Sequence, residues 1–226
     1  MIYEFRTYAI TPGRHDVQHR RFGAENLPLF ARHGLTLLGR WTMHAVQDGP
    51  CFFYIMGFRD LAEREAQWAN FYADPEWPEV RARTQRDEEA IDKFDVDFLR
   101  ASPVRPDLAK SFPAASAGIQ ELIIADIPVG RGVEGNDFLV QHYLPALERA
   151  GARPLIVADY ITGQALPRVA LLLDWQDSEA QLQGARALIV DQDLYDAIAQ
   201  HRRSHNRAVF ARSSAFLLDP ALIAFR

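Results

Sequence analysis

The chain has 226 residues and a formal net charge of −5, with about half its residues apolar and about a quarter charged. This acidic balance argues against a nucleic-acid surface, which needs a basic face. No run of roughly 18 apolar residues could span a bilayer as a helix. One cysteine, Cys51, rules out an internal disulfide and suits a reducing compartment, so a cytoplasmic protein without a leader segment is expected.

The first stretch, Ile2 to Ile10, reads as a strand closed by Pro12-Gly13. Alternation places Tyr3, Phe5 and Thr7 on one face and Ile2, Glu4, Arg6 and Tyr8 on the other. Either the second face is half exposed, or both faces are covered and Glu4 pairs with Arg6 inside. Residues 14–25 are polar and helix-compatible. Pro28 predicts a kink or a restart before the helix ends at Gly34, a left-handed cap. Thr36 to Val46 reads as a second strand and Gln47-Asp48-Gly49-Pro50 as a turn. Cys51 to Phe58 reads as a third strand, antiparallel to the second and buried on both faces. Asp60 with Glu63 forms a capping-box pattern that opens a helix carrying Leu61, Trp68, Phe71 and Tyr72. Asp74-Pro75 opens another, with Trp77, Val80 and Thr84 on one side. Asp92 to Ala101 is a fourth strand.

A second set of elements follows at an offset of 117 residues. Glu4 falls on Glu121, Gly13 on Gly130, Leu27-Pro28 on Leu144-Pro145, Arg32 on Arg149, Gly34 on Gly151, Asp60 on Asp177 and Asp74 on Asp191. The matches hold one ungapped register and cluster at turns and caps. The expected organisation is therefore two copies of one domain, 1–104 and 118–226, joined by a Pro- and Ala-rich linker, 105–117. Each copy runs strand, helix, strand, strand, helix, strand, the ferredoxin-like order. Such a sheet carries helices on one face only. Two tandem ferredoxin-like domains (βαββαβ, class α+β) are then expected to bury their bare faces in an intramolecular dimeric α/β barrel. The recurrence of Glu4 as Glu121 predicts that this face of the first strand meets its counterpart.

Tyr3-Glu4-Phe5-Arg6-Thr7-Tyr8 with Pro12-Gly13 resembles the opening of the NIPSNAP family. Leu27 to Gly34, then Leu38-Gly39-Arg40-Trp41-Thr42, are similar to its helix and second strand. Asp60 to Glu65 and Ala73 to Trp77 continue the match. The resemblance covers about residues 2–103 and thins over 119–220, where Arg6, Tyr8 and Trp41 become Ile123, Ala125 and Ala158. It implies a dimeric α/β-barrel fold. Animal members of the family are associated with mitochondria and vesicle trafficking through protein interactions. Related barrel families include cofactor-free monooxygenases, isomerases and haem-dependent enzymes.

Glu4, Arg6, Tyr8, Arg40, Thr42 and His44 form the main candidate constellation. A polar cavity built from them would bind a small aromatic or carbonyl-bearing molecule, with His44 and Arg6 in the catalytic roles. Glu4, Tyr8, Arg40, Trp41, Tyr54, Trp68 and Trp77 would contact the ligand. The competing reading is an ion-pair network that only fixes strand pairing. The pairs His15/His19 and His201/His205 have helical i, i+4 spacing but lack the Glu of a zinc-protease helix, and read as solvated faces. No metal or cofactor is expected. No phosphate-binding glycine loop or nucleophile elbow occurs, which argues against nucleotide or serine-type hydrolysis. An alternative is a non-enzymatic interaction or homodimerisation module, with Trp68 and Trp77 as exposed anchors.

Overall fold

The computed structural model describes residues 1–44, 46–47, 49–84, 89–108 and 118–220. Asp48 of the predicted turn and the predicted linker from residue 109 onward lie outside them. The chain is mixed α+β and divides into two compact units. One holds Met1–Leu99 and the chain end from Asp219; the other holds Arg100–Leu218.

In the first unit, β1 (Ile2–Ile10), β2 (Thr36–His44), β3 (Cys51–Phe58) and β4 (Ile91–Ala101) take the spatial order 4-1-3-2. Both β1 and β2 pair antiparallel to β3, with Arg6 and Arg40 each opposite Tyr54. Strand β3 is central, and its run of apolar residues is buried on both faces. On the face turned to the helices, Phe52, Tyr54, Met56 and Phe58 pack with Phe22, Phe30, Trp68 and Phe71. Tyr3, Phe5, Trp41 and Phe53 on the opposite face are buried as well.

Three segments make one continuous helix between β1 and β2: α1 (His15–Arg20), a π turn (Arg21–Asn26) and α2 (Leu27–Arg32). Pro28 falls at the first positions of α2, as the predicted restart has it, but α2 follows the π turn without a gap. The N–H of Leu27 reaches back five residues to the carbonyl of Phe22. Widening the turn just before a residue that lacks an N–H lets the helix continue past it. Gly34, at φ +72°, ends the helix, and the N–H of Leu35 closes on the carbonyl of Phe30. Asp60 caps α3 (Leu61–Ala73) by accepting the N–H of Glu63 at 2.8 Å, while Glu63 returns a bond to the N–H of Arg59. Asp74 accepts the N–H of Glu76 at the start of α4 (Glu76–Thr84). It also takes Arg32 at 2.9 Å and His33 at 2.7 Å from the end of α2.

The second unit holds β5 (Ile119–Asp126), α5 (Gly132–Phe138), a π turn (Leu139–Tyr143) and α6 (Leu144–Arg149). These are followed by β6 (Arg153–Tyr160), β7 (Arg168–Trp175), α7 (Ser178–Ile189), α8 (Gln192–His205) and β8 (Arg212–Pro220). Its strands take the order 8-5-7-6. The N–H of Leu144 reaches back to Leu139 ahead of Pro145, Asp177 and Asp191 cap α7 and α8, and Arg149 pairs with Asp191 at 2.7 Å.

The polar face of β1 is turned to the helices. Glu4 is fully buried, 2.9 Å from Arg6 on the same strand. From α3 it accepts hydrogen bonds from Arg64 (2.8 Å) and the Trp68 indole (3.2 Å). Glu121 likewise accepts from the Trp175 indole at 3.0 Å inside its own unit. The expectation that Glu4 recurs because it meets Glu121's strand is thereby corrected. Each glutamate recurs because it anchors a buried tryptophan N–H beneath a helix.

Candidate functional site

A cavity of about 470 Å³ opens in the first unit, floored by β1 and β3 and walled by the π turn, α3, α4 and the start of β4. Arg6, Tyr8 and Tyr54 form the floor. They lie there because residues of β1 and β3 that are opposite each other share a sheet face. The guanidinium of Arg6 donates to the Tyr54 hydroxyl at 3.0 Å. That hydroxyl shares a proton with Tyr8 at 2.9 Å, and the Arg6 guanidinium lies 4.5 Å over the Trp68 ring. Phe71, Tyr72 and Trp77 supply an aromatic wall, and Phe94 lies 5.2 Å from Tyr8.

The helix between β1 and β2 adds a second cation. Arg21 is 4 % exposed, yet it lines the cavity together with Gln18 and Asn26. It donates to Gln18 at 2.5 Å and has Glu89 at 3.9 Å. Its Nε and the Oδ1 of Asn26 are buried and make no hydrogen bond among the described residues. Buried polar atoms left open at a cavity wall mark where a ligand or water completes the bonding.

Electrostatics follow from this packing. Burial alone would lower the pKa of Arg6, but its neighbours more than offset it, and at neutral pH the Glu4 carboxylate is its counter-charge. Burial pushes the phenols of Tyr8 and Tyr54 up, so both keep their protons at neutral pH. Burial lowers Arg21, which stays a cation because arginine starts so high. The fully buried Glu4 carboxylate is shared between Arg6 and Arg64. The inner wall is therefore net positive, hydrogen-bond donating and aromatic.

Of the residues expected at a site, Arg6, Tyr8, Tyr54, Trp68 and Trp77 line this cavity. Glu4 lies behind Arg6 as its counter-ion. Arg40 shares the sheet face of Arg6 but packs 5.7 Å over Phe22 under the helix. Trp41 points to the opposite face, where it stacks on Phe53 at 5.7 Å. His44 does not line the cavity: it sits half exposed at the end of β2, 3.8 Å from Asp219. Strand β3 separates β2 from β1, which keeps Arg40, Thr42 and His44 away from the cavity floor.

Sequence reasoning missed Gln18, Arg21 and Asn26, because a polar helix reads as solvated. A signal was present: Gln18, Phe22 and Asn26 follow at i, i+4 and i+8, so two polar residues flank the buried Phe22 on one helical face. His19 on the same helix is also buried, at 4 % exposure, and bonds Thr42 at 3.0 Å. It was expected on a solvated face. The open Asn26 side chain and the shielded Arg21 depend on α4 and β4 closing over them, which no local pattern reveals.

Residues 3–106 match the NIPSNAP family model. The first half of this chain is a NIPSNAP domain. A NIPSNAP domain protein from Burkholderia xenovorans is 24% identical over 46% of this chain and 96% of its own, at a TM-score of 0.41. Two longer structures show the fold. A monooxygenase candidate from Lactobacillus acidophilus NCFM is 11% identical over 96% of this chain and 92% of its own, at a TM-score of 0.57. A chlorite dismutase from Candidatus Nitrospira defluvii is 11% identical over 97% and 91%, at a TM-score of 0.54. No curated protein matches the chain. The NIPSNAP domain thus contains the whole cavity described above. No helix among the described residues is long and apolar enough to cross a membrane.

Proposed function

We propose that the NIPSNAP domain binds a small aromatic molecule bearing a carboxylate or an ionisable carbonyl in the Arg6–Arg21 cavity. The observation that carries this reading is the pair of buried guanidiniums facing an aromatic wall with open hydrogen-bonding atoms beside them. Arg6 and Arg21 would hold the anionic oxygen, Asn26 a polar substituent, and Trp68, Phe71 and Trp77 the ring face. Tyr8 and Tyr54, protonated and bonded to each other, would relay a proton to the bound oxygen. That arrangement suits stabilisation of an enolate or phenolate, the chemistry shared by cofactor-free oxygenation and isomerisation.

The reading also takes residues 1–104 and 118–226 as two copies of one ferredoxin-like domain, joined by 105–117, of which the first retains the site. It is supported by π turns ahead of Pro28 and Pro145 and by the Arg32–Asp74 and Arg149–Asp191 pairs. The alternative, an interaction module anchored on exposed Trp68 and Trp77, has less support: Trp68 is 4 % exposed and Trp77, partly buried, packs on Phe71.

The test is a tryptophan-quenching titration with hydroxynaphthoates and their neutral methyl ester and ether analogues. Saturable quenching by the anions is expected, weakened about tenfold or more in Arg21→Met, as befits loss of a charge-assisted bond. His44→Ala should bind like the wild type. No saturable quenching by any member of the panel, or wild-type affinity in both Arg6→Ala and Arg21→Met, overturns the reading.

A further inference from the structure

The second unit holds a different cluster. Among the described residues, Glu134 of α5 and His201 and His205 of α8 bring one ligand atom each within 4.8 Å of one another. The two histidines are one helical turn apart and their rings stack at 4.3 Å. Contact between Phe138 and His201 at 5.9 Å sets α8 against the helix that carries Glu134.

The hydrogen bonds leave the right atoms open. The Nδ1–H of His205 donates to the carbonyl of His201 at 3.1 Å, so its Nε2 keeps a lone pair. That Nε2 lies 3.8 Å from the Oε2 of Glu134, too far for a hydrogen bond. The Oε2 of Glu134 and the Nδ1 of His201 are buried and make no hydrogen bond. The other carboxylate oxygen, Oε1, is held by Arg131, which orients the group as outer-shell partners of metal ligands do.

We infer that Glu134, His201 and His205 form a binding site for a borderline transition-metal dication, with Zn²⁺ as the type. Two imidazoles and one carboxylate suit such an ion better than Ca²⁺ or Mg²⁺, which demand oxygen ligands. Donor atoms around tetrahedral zinc lie about 3.4 Å apart, so the side chains need close only modestly. Gln141, His142 and Ser204 line the adjoining cavity of about 440 Å³, which leaves further coordination positions accessible. The charge of Arg131 opposes the ion and keeps the affinity moderate.

The experiment uses the full chain without a polyhistidine tag, titrated with Co²⁺ by visible absorption and with Zn²⁺ by calorimetry. The expected result is one site per chain with d–d bands characteristic of nitrogen and oxygen ligands. Affinity should fall by at least about tenfold in Glu134→Gln and in His205→Ala. These side chains are partly exposed, so the variants should fold, and the wild-type spectrum stands without them. Absence of saturable binding to the wild type, or wild-type affinity in both Glu134→Gln and His205→Ala, overturns the inference. It is independent of the cavity in the NIPSNAP domain.

Discussion

In the NIPSNAP domain the residues of β1 and β3 that face the helices include Arg6, Tyr8 and Tyr54. At the same offset the second unit has Ile123, Ala125 and Leu171. The overlying helix follows suit: Arg21 and Asn26 correspond to Phe138 and Tyr143, and Arg40 to Val157. The second unit fills this layer with apolar side chains, aliphatic on the strands and aromatic on the helix. A fold that closes well with isoleucine and leucine has no packing need for two buried arginines, whose desolvation is costly. Their presence in one unit is therefore an argument for ligand binding that neither unit makes alone. The glutamate is common to both, but its tryptophan is not. Trp68 comes from a helix in one unit and Trp175 from a strand in the other, where Gly184 on α7 makes room for the ring.

Replacing Arg6 with the isoleucine of the second unit is the largest test of this contrast. Glu4 would be left with Arg64 and Trp68 alone, and breaking a buried pair from one side costs about 3–5 kcal/mol. Urea denaturation of Arg6→Ile should show that loss, with part recovered when Glu4→Gln is added. A loss under about 1 kcal/mol would mean that Glu4 is satisfied without Arg6, and that the two cores differ less than their residues suggest.

Gly184→Ala probes the second unit's compensation. A Cβ there would sit 2.2 Å from the Trp175 ring, so the helix propensity of alanine cannot be realised. A loss of about 1–3 kcal/mol is expected in thermal or denaturant unfolding. A stabilised variant would show that Trp175 has freedom to move.

The smallest effect concerns pH. Burial, then the nearby His15 and Arg40, lower the pKa of His19 to about 4. An unfolded histidine titrates near 6.5, so between these values the unfolded chain binds more protons. His19 thus contributes stability that is present above about pH 6.5 and is lost as pH falls toward 4. The second unit has Asn136 at this position. His19→Asn should flatten the decline in stability between pH 7 and 5 by on the order of 1–2 kcal/mol. An unchanged pH profile would show that His19 is protonated as easily in the native state as in the unfolded chain.

Much of the architecture was legible in residue order. The strand phases, the caps at Asp60, Asp74, Asp177 and Asp191, and the left-handed end at Gly34 are local matters, decided by backbone chemistry within a few residues. The recurrence of Arg32 as Arg149, and of Asp74 as Asp191, was visible as two isolated matches. Only the structure shows that Arg32 pairs with Asp74 and Arg149 with Asp191, which is why the two matches recur together. At Pro28 the pattern pointed to a break, because the i→i−4 ladder fails there. The π turn, an alternative ladder, was not encoded in any propensity.

The candidate site divides along the same line. Alternation alone put Glu4, Arg6 and Tyr8 on one face, because side chains in a strand have period two. Whether that face met water, another strand or helices depended on contacts between residues some sixty apart, such as Glu4 with Trp68. Tertiary structure moved His44 out of the site by placing β3 between β2 and β1, and brought in Arg21 and Asn26 from a helix that looks solvated on paper. It also set Glu134 beside His201 and His205, completing a trio of which the sequence displays only the pair. Periodicity determines which way a side chain points; only the packed elements determine what it meets there.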